Sequence, residues 1–142
     1  MDEIKNAKLI MLENNYKLVV VKDGLVKFSS SARGIKPIYD VYSKSPELLM
    51  GAYISDRVTG KAAAMILSKA GIAGIYTDLI SEQAIQIFKD HKIDLMYEKK
   101  VDSILNRDKT GSCPIESISK DLKADEITEL ILGIENFLSS IN

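Results

Sequence analysis

Residues 106–116 (NRDKTGSCPIE) hold the densest run of groups able to do chemistry in the chain. Cys113 stands before Pro114, with Glu116 three residues on, which is the spacing of a helix start with Cys113 at N-cap, Pro114 at N1 and Glu116 at N3. A thiol placed there feels the positive end of the helix dipole, and Arg107 or Lys109 would lower its pKa further. The pattern points to Cys113 as a nucleophilic or redox-sensitive thiolate, with Asp108 or Asp56 as its base. The competing structural reading is a small buried residue in a tight turn, with Glu116 completing the cap and opposing thiolate formation. Arg107 and Asp108 read equally as a ligand clamp or as an ion pair that orders the loop, and Asn106 joins Arg107 as an expected ligand contact.

A second group gathers around Asp56–Lys61. Thr59-Gly60-Lys61 matches the end of a phosphate-binding loop, but Ser55 stands where that loop needs its first glycine, so a nucleotide triphosphatase is a poor reading. What survives is an anion site at a helix start, with the backbone of Gly60 and the Lys61 ammonium as receptors. Against it stands a glycine needed for close packing and a lysine in water. Asp56 suits a general base, a hydroxyl acceptor or a simple cap. Ser81 is expected on the same rim and reads more naturally as a cap than as a catalytic hydroxyl. Arg33 enters as a ligand contact from the hairpin side, where a turn arginine is the default. His91, the one histidine, falls in the last turn of a helix, where the dipole already favours it. No metal site is expected.

These groups need elements to carry them, and residues 51–98 supply a strand–helix–strand–helix–strand unit. Gly51–Arg57 and Ala73–Ile80 read as buried strands, and Ile93–Tyr97 as a third. Ala62–Ala70 is a helix too apolar to lie half exposed, with Gly71 as its stop. Ser81 caps a helix over Glu82–Lys92, with Ala84, Ile85, Ile87 and Phe88 on its apolar face. Alternation of this kind implies parallel strands, and ligands in open α/β sheets bind at the carboxyl edge. Upstream, Asp2–Glu13 reads as an amphipathic helix, carrying Ile4, Leu9, Met11 and Leu12 among charges. Tyr16–Lys22 and Leu25–Ser30 flank Asp23-Gly24, a hairpin signal. Pro37 opens a short helix through about Ser43, and Ser45-Pro46-Glu47 starts a further helical turn. Val101–Leu105 fits no element clearly, and Asp125–Ile141 closes the chain as an amphipathic helix.

With 142 residues, 46% hydrophobic and 27% charged, the chain suits one soluble domain with a real core. A net charge of −1 gives no general attraction to nucleic acid or to an anionic membrane, and no apolar run is long enough to span a bilayer. A single cysteine excludes an internal disulfide and any multi-cysteine zinc site. A cytoplasmic protein without a cofactor is the expectation.

Three stretches carry a resemblance: Arg33–Pro37 (RGIKP), Asp56–Ala64 (DRVTGKAAA) and Asn106–Glu116 (NRDKTGSCPIE). They resemble the motifs of the bacterial domain-of-unknown-function family 1893, over roughly Leu18 to Glu116. The resemblance implies an α/β, three-layer α-β-α, cytidine-deaminase-like fold. Its parts would be a mixed five-stranded sheet, an N-terminal hairpin and a C-terminal amphipathic helix. On that reading residues 1–142 form a single domain, with 1–17 as lead-in, 18–116 as core and 117–142 as helical extension. Zinc deaminases carry H-x-E at the start of the second helix and P-C-x-x-C at the third. The corresponding positions, near Arg33–Pro37 and Gly60–Ala64, hold no His or Cys, and the first holds no Glu. Zinc-dependent deamination is therefore not expected.

The combined expectation is a small anionic or nucleotide-like ligand at the carboxyl edge, with metal-free catalysis through Cys113 as the enzymatic form of that reading. The alternatives are a non-catalytic ligand sensor and a homo-oligomeric interaction module.

Overall fold

The computed structural model describes residues 2–32, 34–104 and 114–140. Among them the chain runs α1 (Asp2–Asn14), β1 (Leu18–Lys22), β2 (Leu25–Ser30), α2 (Lys36–Lys44), a 3-10 turn (Pro46–Leu48) and β3 (Tyr53–Thr59). It continues through α3 (Lys61–Ala70), β4 (Gly74–Ser81), α4 (Glu82–Asp90), β5 (Asp94–Val101), α5 (Pro114–Ser119) and α6 (Ile127–Ser140). The five strands form one mixed sheet in the order β2-β1-β3-β4-β5. β1 is antiparallel to both β2 and β3, whereas β3, β4 and β5 run parallel.

Local chemistry explains the punctuation. Asp23 and Gly24 both take positive φ, 54° and 76°, as a two-residue hairpin requires. Gly71 ends α3 in the left-handed conformation, its N–H bonded back to Leu67 and Ser68 carbonyls. The Ser81 side chain accepts from the Ala84 N–H at 3.2 Å and caps α4.

The sheet is covered on both faces, giving three layers. On one face α1 packs Ile4, Ala7 and Met11 against Val19, Val21 and Tyr76. On the other, the larger core joins Ile54 and Ile75 to the alanine-rich α3, to Phe88 of α4, and to Leu130 and Ile134 of α6. The α3 helix is buried on almost every side because neighbouring helices pack around it. That is why its sequence lacks a polar face.

Leu9 and Leu12 are exposed, and Ala7 takes the inward place, because the buried stripe of α1 follows Ile4, Ala7 and Met11. Several expectations are corrected. β3 starts at Tyr53 and runs on to Thr59, so Val58 and Thr59 pair with Leu79 and Ile80 instead of turning. β5 extends to Val101, and Glu98, Lys99 and Lys100 are its exposed charged end, which suits an edge strand. α4 stops at Asp90, with His91 as C-cap and its Nδ1 2.9 Å from the Ile87 carbonyl oxygen.

Candidate functional site

The parallel register sets the site. Asp56 on β3 stands beside Leu18 of β1 on one side and Thr77 of β4 on the other. Three residues on, Thr59 ends β3 and Gly60 begins the turn into α3. Asp56, Gly60 and the start of α3 thus come together at the carboxyl ends of the parallel strands, where open α/β sheets place their ligands.

Asp56 is buried, 8% exposed as a residue. Its Oδ1 accepts from the Arg57 N–H at 2.9 Å, and its Oδ2 lies 3.0 Å from Thr59 Oγ1. Burial pushes its pKa up to about 7, against the N–H groups of Arg57 and Val58, and against the Thr59 hydroxyl whenever its hydrogen points at the carboxylate. Thr59 Oγ1 lies 2.9 Å from Thr77 Oγ1, which lies 3.1 Å from the Leu79 carbonyl oxygen.

Glu116 is the site residue the sequence misplaced. It was expected to serve its own helix; instead its Oε1 accepts the N–H of Lys61, at 2.8 Å, and so caps α3 from 55 residues away. Gly60 has no side chain with which to cap α3, and a Cβ on it would overlap Glu116 Oε1. The glycine therefore admits the carboxylate. Burial raises the pKa of Glu116 as well, opposed by the Lys61 N–H and the Lys61 charge. The Lys61 ammonium is engaged too, donating to the carbonyls of Lys120 and Leu122 beyond α5. The Lys61 ammonium expected to receive an anion, together with the Lys61 N–H beside Gly60, thus serves α5 and the segment after it.

Between these groups lies a cavity of about 440 Å³. Leu18, Ile35, Ile38, Ala62, Ile104 and Ile115 give it apolar walls, while Asp56 and Glu116 bring carboxyls to it. Asn15 and Lys17, from the turn ahead of β1, also reach its lining. Ser81 is fully buried, spends its hydroxyl as a cap and is not part of that lining. Arg33, Asn106, Arg107, Asp108 and Cys113 lie outside the described residues.

The sheet also carries a polar cluster that the sequence did not suggest. Arg57 donates from Nε to the Tyr16 carbonyl at 2.9 Å and from Nη1 to Asp78 at 3.0 Å. Tyr76 donates its hydroxyl to the same Asp78, and the Lys8 ammonium lies 4.8 Å from the centroid of the Tyr76 ring. This cluster fastens α1 to β3 and β4, and it keeps the Arg57 guanidinium committed to Asp78 and Tyr16.

Of the residues expected on this rim the structure brings Asp56 and Gly60 to the cavity, beside Thr59, Thr77 and Glu116, which the sequence did not place there. A polar pair spaced Asp56-x-x-Thr59 at a strand end was the available signal; Thr77 enters only through strand pairing.

Residues 6–138 match the family described as a domain of unknown function, DUF1893. No curated protein matches the chain in sequence. A crystal structure of a DUF1893 family protein from Thermotoga maritima is similar, with a TM-score of 0.84 and 24% sequence identity over 95% of this chain and 89% of that one. At that identity the likeness speaks for the fold.

Proposed function

The chain belongs to the DUF1893 family, a domain of unknown function, and on its own geometry we propose that it binds a small, flat, nitrogen-bearing molecule in the cavity beside Asp56, with that carboxyl exchanging a proton with the ligand. The observation that carries this reading is the buried Asp56 carboxyl in the wall of a cavity whose remaining lining is mostly apolar, with Glu116, Lys17, Asn15 and Arg57 as its other polar residues. About 440 Å³ falls within the range that encloses a small molecule. A carboxyl that can be neutral or ionised near neutral pH is suited to general acid–base work.

The reading narrows the expected ligand. Asp56 and Glu116 both repel an anion when ionised, and the Lys61 N–H and ammonium are already bonded. Of the two cations among the described lining residues, Arg57 is held by Asp78 and the Tyr16 carbonyl, leaving Lys17 against the two carboxyls. A base or nucleoside without its phosphate fits better than a nucleotide, with the ring against Ile35, Ile38 and Ala62 and a ring nitrogen toward Asp56. Hydrophobic walls supply affinity, and one polar group sets orientation. The deaminase-like fold implied by the motif resemblance and the cytoplasmic location expected from composition belong to this proposal, and so does zinc independence, which the missing H-x-E and P-C-x-x-C residues support.

Thermal unfolding against a panel of free bases, nucleosides and the matching nucleotides tests it. An upward shift with the unphosphorylated compounds is the expected result, and Asp56→Asn should weaken that binding by about tenfold, the worth of one well-made hydrogen bond. A shift with nucleotides alone would replace this reading with an anion site. Loss of turnover in Asp56→Asn with binding reduced only modestly would favour an enzyme over a sensor.

A further inference from the structure

Three oxygen–oxygen contacts run in series from the cavity wall into the sheet: Asp56 Oδ2 to Thr59 Oγ1, Thr59 Oγ1 to Thr77 Oγ1, and Thr77 Oγ1 to the Leu79 carbonyl, at 3.0, 2.9 and 3.1 Å. Each contact needs one hydrogen. The carbonyl supplies none, and the two hydroxyls supply one apiece. The third hydrogen has one available source, the Asp56 carboxyl. With Oδ2 protonated, every contact is made in one direction: Asp56 donates to Thr59, Thr59 to Thr77, and Thr77 to Leu79. With Asp56 ionised, Thr59 must turn its hydrogen onto Oδ2, and Thr77 is left with one hydrogen for two acceptors.

We propose that Thr77 is a positioning residue that claims the Thr59 hydrogen, and so keeps Asp56 in its protonated form in the ligand-free protein, where it meets a weak nitrogen base as a proton donor. The inference rests on the ligand reading above for what receives the proton. In the step itself the Oδ2–H turns from Thr59 toward the ligand and breaks, its electron pair stays on the carboxylate, and the lone pair of the ligand nitrogen forms the new N–H bond. Thr59 then rotates to donate to Oδ2. The Leu79 carbonyl matters because it cannot donate, and so it fixes the direction of the resting series.

The charged surroundings are consistent with this. Glu116 from α5 faces the same cavity, and Asp78 on β4 adds negative charge that disfavours ionised Asp56. Among the described residues the neighbouring cations include the Arg57 guanidinium, held by Asp78 and the Tyr16 carbonyl, and the Lys61 ammonium, held by the carbonyls beyond α5. Lys17 lines the cavity from ahead of β1.

The test is a carbon-13 NMR titration of the aspartate side-chain carboxyls in the full ligand-free chain, with Asp56→Asn for assignment. Removing the Thr77 hydroxyl in Thr77→Val frees Thr59 to donate to Asp56, so the Asp56 midpoint should fall by about one pH unit, the equivalent of one hydrogen bond. Thr59→Val removes the only hydroxyl among the described residues that is bonded to the carboxylate, so there the midpoint should rise. Thr77→Ser restores the hydroxyl and should restore the wild-type value. A merely structural role predicts a common direction, because loosened packing hydrates the carboxyl in both valine variants. No fall in Thr77→Val, or a fall in both, overturns the proposal. Should either variant fail to fold, infrared difference spectroscopy of wild type against Asp56→Asn at mildly acidic pH must show a protonated-carboxyl C=O band, and its absence overturns the proposal equally. Neither measurement uses ligand, so failure here leaves the binding result standing, and failure of the ligand panel leaves these protonation results standing.

Discussion

A carboxyl that is nearly out of water changes how the whole protein responds to pH. Burial raises the folded-state pKa of Asp56 to about 7 from an ordinary aspartate value near 4. The folded chain therefore holds a proton that the unfolded chain has released across that window. The sign follows: the stability associated with this group is fully present below about pH 4 and is lost as pH rises through about 7. Glu116, raised by burial too, acts in the same direction. Urea unfolding of wild type and Asp56→Asn at about pH 5 and about pH 8 should show the asparagine variant gaining on wild type at the higher pH, by an amount on the order of a few kcal/mol at most. An equal difference at both pH values would mean that Asp56 is not held near neutrality.

At the scale of elements, the join between α3 and α5 governs the shape of the cavity. α3 begins with a glycine that cannot cap, and the cap comes from Glu116 on a helix formed much later in the chain. In return Lys61, the first residue of α3, binds the carbonyls that follow α5. The exchange is reciprocal, so the two helices position each other. Gly60→Ala should expel the Glu116 carboxylate and cost about 1–2 kcal/mol, the worth of a lost cap plus local strain. Glu116→Ala alone should cost a similar amount. In the double variant the costs should not add, since the alanine methyl then occupies the space the carboxylate has left. Additive costs in chemical denaturation would show that Gly60 is needed for some reason other than Glu116.

At the scale of the whole molecule, the three layers divide the work unequally. α1 closes one face with a narrow stripe of Ile4, Ala7 and Met11, while the opposite face carries the main core and the cavity. α6 completes that core through Leu130 and Ile134, both fully buried. Leu130→Ala should cost about 2–5 kcal/mol by transfer and cavity formation. Leu132→Ala, on the same helix but 56% exposed, should stay within about 0.5 kcal/mol of wild type. Equal effects in the two variants would indicate that α6 is not docked as described.

Much of this architecture is local and was legible. The Asp23-Gly24 hairpin, the Gly71 stop, the Ser81 cap and the alternation of apolar strands and helices each depend on a few consecutive residues, whose backbone preferences and periodicity the sequence carries directly. Strand alternation was enough to place Asp56 and Gly60 at the carboxyl edge. The partners of these groups could not be read, because hydrogen bonds between segments far apart in the chain leave no spacing signal. Only the tertiary structure decided that Thr77 stands beside Asp56, that Glu116 caps a helix other than its own, and that Lys61 points at carbonyls. Strand register and helix docking fix those meetings, and both follow from how the completed core packs.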